Sequence, residues 1–225
     1  MLTKVTIYGE RCSGTNYLEQ LIDLNFDVNL TWEYGWKHFF GFQDDKLQNS
    51  DDTLFICIVR NLPDWINSFF RELHHLPLQL NTTMSKKQKL QVFLNEEIAS
   101  FDNTVKPPVE IMQDRNIYTG LRYTNIYELR HTKLKWMLED LPKKVNHCIL
   151  IRYEDLVHNF NHTMSMLQAK GLKIKEKISF PINTNSYKKS TTQVFKKKVN
   201  YIPTNFILSN PHLKTTYEQQ LYPQL

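Results

Sequence analysis

The stretch MLTKVTIYGERCSGTNYLEQLI at the amino terminus does most to narrow what this chain can fold into. Residues 2–8 read as a buried strand, a turn bounded by Gly9 and Gly14 follows, and Tyr17, Leu18, Leu21 and Ile22 then share one helical face. A strand, a glycine turn and a helix in that order make a concave anion site. The N–H groups of the turn and of the first helical turn converge, and the helix dipole favours negative charge there.

The rest of the chain repeats the alternation. TLFICIV (53–59) and HCILI (147–151) are continuous apolar runs of the kind found in parallel strands buried on both faces. After Val59 the chain reads RNLPDWINSFFREL. Pro63 suits a first helical position, Asp64 complements the dipole, and Trp65, Ile66, Phe69, Phe70 and Leu73 form one stripe. Residues 88–101 and 124–140 also read as helices, the second ending before Pro142, and KPPVEIMQDRN between them reads as an irregular surface segment. The expected fold is α/β, a three-layer P-loop-type architecture with a central, mostly parallel sheet flanked by helices. At 225 residues a single domain, 1–225, is expected. Ligands of such sheets bind at the carboxyl ends of the strands, where GERCSGTN and the residues after Val59 both fall.

Composition limits the function classes. Hydrophobic residues make up 41% and charged residues 23%, as in folded globular proteins. No run has the length of a membrane span, and no signal peptide is evident, so a cytoplasmic location is expected. Cys12, Cys57 and Cys148 lack metal-site or CxxC spacing, which fits a reducing compartment. The net charge of +5 comes from lysines at 86–89 and 170–198. A small anion, a nucleic acid or an acidic polymer would each suit such lysines, and a solvated face accounts for any one run.

The loop has the glycine, four residues, glycine frame of nucleotide triphosphatases, but Thr15 and Asn16 stand where those proteins have the phosphate-gripping lysine and the metal-binding hydroxyl. A single phosphate group held without metal suits it better. Arg11-Cys12-Ser13-Gly14-Thr15-Asn16 resembles the 5′-phosphosulfate loop of sulfotransferases that use 3′-phosphoadenosine 5′-phosphosulfate (PAPS). VRNLPDWINS resembles that family's 3′-phosphate motif, with Arg60 and, eight residues on, Ser68. With a helix beginning at Pro63, Ser68 lies roughly 7 Å along it, away from the apolar stripe. RYEDL (152–156) resembles a segment of the family that is chiefly architectural. Its Asp155 reads as a helix N-cap, and a triphosphatase would instead use Glu154 or Asp155 on a metal ion.

The resemblance implies transfer of a sulfuryl group from PAPS to a hydroxyl or amine. The acceptor would be a small molecule or a saccharide, with no metal requirement and no nucleic-acid partner. It covers mainly residues 5–24, 54–71 and 148–157. Family members carry a base between the two phosphate motifs. His38 fits that duty, with Lys37 beside it to support charge on the leaving phosphate in place of the loop lysine that Cys12 replaces. Lys188 and Lys189 are nearest to the family's late basic loop. His74 and His75 follow the Ser68 helix and suit an acceptor pocket or a helix C-terminus. Arg130 and Lys133, on the 124–140 helix, suit either ligand contact or a solvated face. The alternatives are a nucleotide kinase or triphosphatase with an atypical P-loop, and a non-enzymatic binder of nucleic acid or acidic polymer.

Overall fold

All seven residues of the TLFICIV run are buried, and the run forms a central strand. The computed structural model describes residues 1–76, 84–178 and 199–224. In chain order the elements are β1 (Lys4–Gly9), α1 (Thr15–Asn25), β2 (Asn29–Leu30), α2 (Asp44–Leu47), β3 (Thr53–Val59), α3 (Leu62–Glu72), α4 (Lys86–Asn95), β4 (Phe101–Asp102) and β5 (Val109–Glu110). They continue with α5 (Ile126–Lys135), α6 (Leu141–Lys144), β6 (Cys148–Arg152), α7 (Tyr153–His158), α8 (Phe160–Ala169), α9 (Thr204–Leu208) and α10 (Thr216–Leu221). The chain divides into two compact units. One comprises Met1–His38, Gln43–Asn61 and Met137–Val199, and the other Phe39–Phe42, Leu62–Trp136 and Asn200–Leu225.

The first unit holds the sheet. Its strands run in the order β2-β1-β3-β6, every pair parallel, so the α/β class with a central parallel sheet is as expected. Gly9 at the end of β1 pairs with Ile58, and Val59 at the end of β3 pairs with Arg152. Val5, Ile7, Leu54, Ile56, Ile58 and Ile151 pack on one face against Leu18, Leu21 and Ile22 of α1 and Leu167 of α8. Tyr8, Tyr34 and Phe55 pack together in the same unit, and the Tyr8 hydroxyl donates to the Tyr34 carbonyl at 2.7 Å. Cys57 is buried within β3, while Cys12 and Cys148 are half-buried; all three are free thiols.

The second unit is mostly helical. The stripe expected on α3 is buried from Trp65 to Leu73, and the helix begins one residue before Pro63. α4 departs from the expected 88–101. It starts at Lys86 because Ser85 and Gln88 form a reciprocal capping box, and it stops at Asn95 because Ile98 pairs with Tyr123 in extended backbone. α5 starts after Asn125, whose side chain accepts from the amides of Tyr127 and Glu128, both at 3.0 Å. The helical path does not end before Pro142. A π-helical turn over Trp136–Asp140 carries it into α6, where the proline sits in the opening turn and its missing N–H removes no bond. KPPVEIMQDRN is largely exposed but not wholly irregular, since β5 pairs with β4 and Asp114 is buried.

Candidate functional site

The sheet order reverses direction between β1 and β3, with β2 on the outer side of one and β6 on the outer side of the other. Open α/β sheets form their ligand crevice at such a point, beyond the carboxyl ends of the strands. Residues 10–14 leave β1 there, and Arg60 leaves β3 there.

Two glycines are required by this geometry. A Cβ on Gly9 would lie 2.7 Å from the Ile58 carbonyl oxygen and 2.8 Å from Ser13 Oγ. Gly14 has φ of 101°, and a Cβ on it would enter the Tyr153 ring. Cys12 also takes a left-handed φ, 65°, so the chain reverses sharply between β1 and α1. Ser13 closes the turn, its amide donating to the Glu10 carbonyl at 3.1 Å and its hydroxyl to the same oxygen at 2.6 Å. Intrahelical bonding in α1 starts with Leu18 N–H to the Gly14 carbonyl, no side chain caps the helix, and its first turn carries no acid. The amides of Thr15 and Asn16 are therefore directed at the crevice, as an anion requires. Burial, with Tyr153 adding to it, pushes the Tyr17 phenol up to about 12, so this turn gains no negative charge at neutral pH.

Arg60 reaches the turn directly. Its guanidinium donates to the Cys12 carbonyl at 3.2 Å and lies 4.8 Å from the centre of the Tyr153 ring, with the side chain half-buried. The corner that sends it there is held by Glu154, whose Oε1 accepts from Asn61 N–H at 3.0 Å and Asn61 Nδ2 at 2.6 Å. Asp155, expected as an N-cap, instead sits inside α7 and accepts from Arg152 Nε at 2.8 Å; the α7 cap position is Arg152 itself, with no side-chain cap bond. Burial acts to raise the Asp155 carboxyl, and the bonded Arg152 outweighs it, leaving the group below the usual carboxylate range.

Lys37 and His38 meet the same turn from another side. The Gly9 amide donates to the Lys37 carbonyl at 2.9 Å, and His38 Nδ1 lies 2.7 Å from the Gly9 carbonyl. A carbonyl can only accept, so Nδ1 carries the hydrogen and the neutral ring keeps its lone pair on Nε2. Lys37 is buried, and its ammonium donates to Asn16 Oδ1 and to Glu19 Oε2 at 2.5 and 2.7 Å. Arg11 is buried as well, with Glu10 beside it in the chain.

Of the residues named from the sequence, Arg11–Asn16, Lys37, His38 and Arg60 thus belong to one unit and gather around the turn. Ser68 stands half-buried on α3, in the other unit. Lys188 and Lys189 lie outside the described residues. His75 is tied into backbone, its Nδ1 3.2 Å from the Phe101 carbonyl and its own carbonyl accepting from Phe101 N–H. Arg130 and Lys133 are not solvated. Each is buried against a carboxylate, Arg130 on Glu218 at 2.8 Å and Lys133 on Asp114 at 2.5 Å. Sequence reading missed Asn61 and Glu19, and it named Tyr153 and Glu154 without their contacts to Gly14, Arg60 and Asn61. RYEDL signalled the latter pair, but nothing local to residue 61 or 19 says what it will meet. Among the described residues no group of three or more His, Cys, Asp or Glu is placed to hold a metal ion, and no helix is long and apolar enough to cross a membrane.

Mouse sulfotransferase SULT7A1, solved in complex with PAP, is similar in structure at 15% identity and a TM-score of 0.43, over 77% of this chain and 61% of the mouse chain. The present chain thus spans less than two thirds of that protein's length. No family model and no curated protein matches the sequence.

Proposed function

We propose that this chain is a sulfotransferase that moves a sulfuryl group from PAPS to a hydroxyl, or an amine, of a small-molecule or saccharide acceptor. The observation that carries the reading is the approach of Arg60 to the Cys12 carbonyl at the β1–β3 crevice, beside uncapped helix amides. A guanidinium fork matches a phosphate in both charge and donor geometry. The loop amides of Thr15 and Asn16 would hold the 5′-phosphosulfate and Arg60 the 3′-phosphate, a duty that the sequence pattern alone extends to Ser68. Lys188 and Lys189 are assigned to the 3′-phosphate from the sequence pattern alone.

In the transfer, an acceptor oxygen attacks sulfur, the bond from sulfur to the bridging oxygen breaks, and the departing phosphate keeps the electron pair. His38 takes the acceptor proton on Nε2, a role supported by the Nδ1–H bond to Gly9, which sets the tautomer and aims the ring. Lys37 supports the charge growing on the phosphate. Its ammonium is held at Asn16, in the first turn of α1, and Glu19 fixes it in place.

Lys37 also supplies what favours a second reading, a nucleotide kinase or triphosphatase whose phosphate-gripping lysine comes from outside the loop. Calorimetry separates the two. 3′,5′-Adenosine bisphosphate is expected to bind with micromolar affinity and ATP with Mg²⁺ not at all; binding of ATP with Mg²⁺ alone transfers the assignment to the second reading.

A further inference from the structure

The helical unit carries an apolar groove that the proposed transfer does not use. Its walls are Phe70, Leu90, Ile202, Pro203 and Phe206, with Tyr201 at one end, and its volume is about 480 Å³. Small-molecule sites span about 300–1,000 Å³, so the groove has the capacity for an organic ligand. Across Tyr201 it adjoins a second hollow of about 290 Å³, to which Arg71, Lys86 and Lys89 contribute.

The groove is held in shape by buried polar bonds. Asn67, buried on α3, donates to the Ile202 carbonyl at 3.1 Å and accepts from the amides of Tyr201 and Ile202 at 3.0 and 2.9 Å. Those bonds fix residues 201 and 202 against α3. The Lys86 ammonium stands 3.8 Å from the centre of the Tyr201 ring. Tyr201 and Phe206 nevertheless present 39% and 41% of their surface to solvent beside the same hollow.

Charge gives the ligand its second property. Lys86, Lys87 and Lys89 all fall in the opening turn of α4, the positive end of its dipole, where cations oppose helix formation. No acidic residue lies in that turn, and among the described residues no carboxylate lines either hollow. Glu72, which acts electrostatically on the Tyr201 phenol together with Arg71, is outside the lining. Among the described residues none of the three lysines forms an ion pair. An arrangement that hinders folding and is not neutralised by the described residues fits an anion from outside the chain.

We propose that the groove binds a small amphiphile, its unbranched apolar chain along Leu90, Ile202 and Phe206 and its monoanionic head at Lys86 and Lys89 beyond Tyr201. Decanoate, butanoate and decanol serve as probes, titrated into the full chain by calorimetry while the Leu90 and Ile202 methyl resonances are followed. Decanoate is expected to saturate and to shift both sets of methyls. Decanol is expected to bind at least about tenfold more weakly, and butanoate to give no saturation. Phe206→Glu, at an exposed position, should weaken decanoate about tenfold or more. The double variant Lys86→Ala/Lys89→Ala should bring decanoate down to the affinity of decanol and leave decanol unchanged. Arg60→Ala should bind decanoate as the parent does, which keeps this outcome separate from the nucleotide reading. Absence of saturable decanoate binding overturns the proposal. So does equal affinity in Phe206→Glu, or equal affinity of the parent for decanoate and decanol.

Discussion

Arg60 in the sheet unit leads a different life from Arg130 and Lys133 in the helical unit. In the sheet unit, Arg60 lies half-buried against a loop carbonyl and an aromatic ring. In the helical unit, Arg130 and Lys133 are withdrawn from solvent, each matched by a buried carboxylate. Arg130 also lies 5.0 Å from the Trp65 ring, and Lys133 lies 5.8 and 5.5 Å from those of Phe39 and Phe40. The contrast separates a cation left partly open to solvent from cations used up by the fold. Residue type does not make that distinction; access to solvent and the identity of the neighbours do.

Removing Asp114 should have the largest effect, because it strands the Lys133 ammonium and removes the acceptor of the Ser100 hydroxyl. Asp114→Ala is expected to lower stability by about 3–5 kcal/mol in urea unfolding, and Asp114→Leu/Lys133→Met to recover much of it. Full stability in the single variant would place Lys133 on the Arg60 side of the contrast. Gly14→Ala comes next, since it combines a φ of 101° with intrusion on Tyr153. Strain of about 1–3 kcal/mol is expected, together with weakened binding of 3′,5′-adenosine bisphosphate. Arg60→Ala should leave the unfolding midpoint nearly unchanged yet cost about 1.5–3 kcal/mol of affinity for that nucleotide, read by calorimetry. A collapse in stability instead would make Arg60 structural and erase its difference from Arg130 and Lys133.

Smaller effects sharpen the picture. Ser85→Ala removes the capping box of α4 and should cost about 1 kcal/mol, visible as a lower melting temperature. Glu128 gives a pH test. Burial acts to raise its carboxyl, and bonds from the Thr124 hydroxyl and amide and from Asn116 outweigh that, so its folded value lies below the ordinary one. A depressed carboxylate contributes stability above its unfolded value, about 4.3, and loses that contribution as pH falls through the folded value. Glu128→Gln should therefore flatten the loss of stability below about pH 4.3, measured by urea titration at several acid pH values.

How far the fold can be read in advance depends on whether the signal is local. TLFICIV is a strand over the expected span, and α1 and α3 bury the expected faces, because continuous and periodic apolar runs admit few other ways of leaving water. α4 differs from its expected span at both ends. Its start is set by two polar side chains and its finish by a bridge to Tyr123, a residue far along the chain. Pro142 reads as a stop because proline cannot donate in a helix, but a widened turn before it absorbs that defect. At the candidate site the turn from Gly9 to Asn16 is legible because glycine spacing reports backbone geometry. Asn61 and Glu154, which aim Arg60, are not, since their bond joins residues from two strand ends.

By itself the sequence determined the parallel α/β core, the glycine turn and the short list of cations able to serve an anion there. Such features follow from hydrophobic pattern and allowed backbone angles, which act between near neighbours. Only the tertiary structure decided that Arg60 turns toward the loop, that Lys37 is matched by Glu19, and that Arg130 and Lys133 are spent on buried carboxylates. A buried charge must find a partner, and that partner can come from anywhere in the chain.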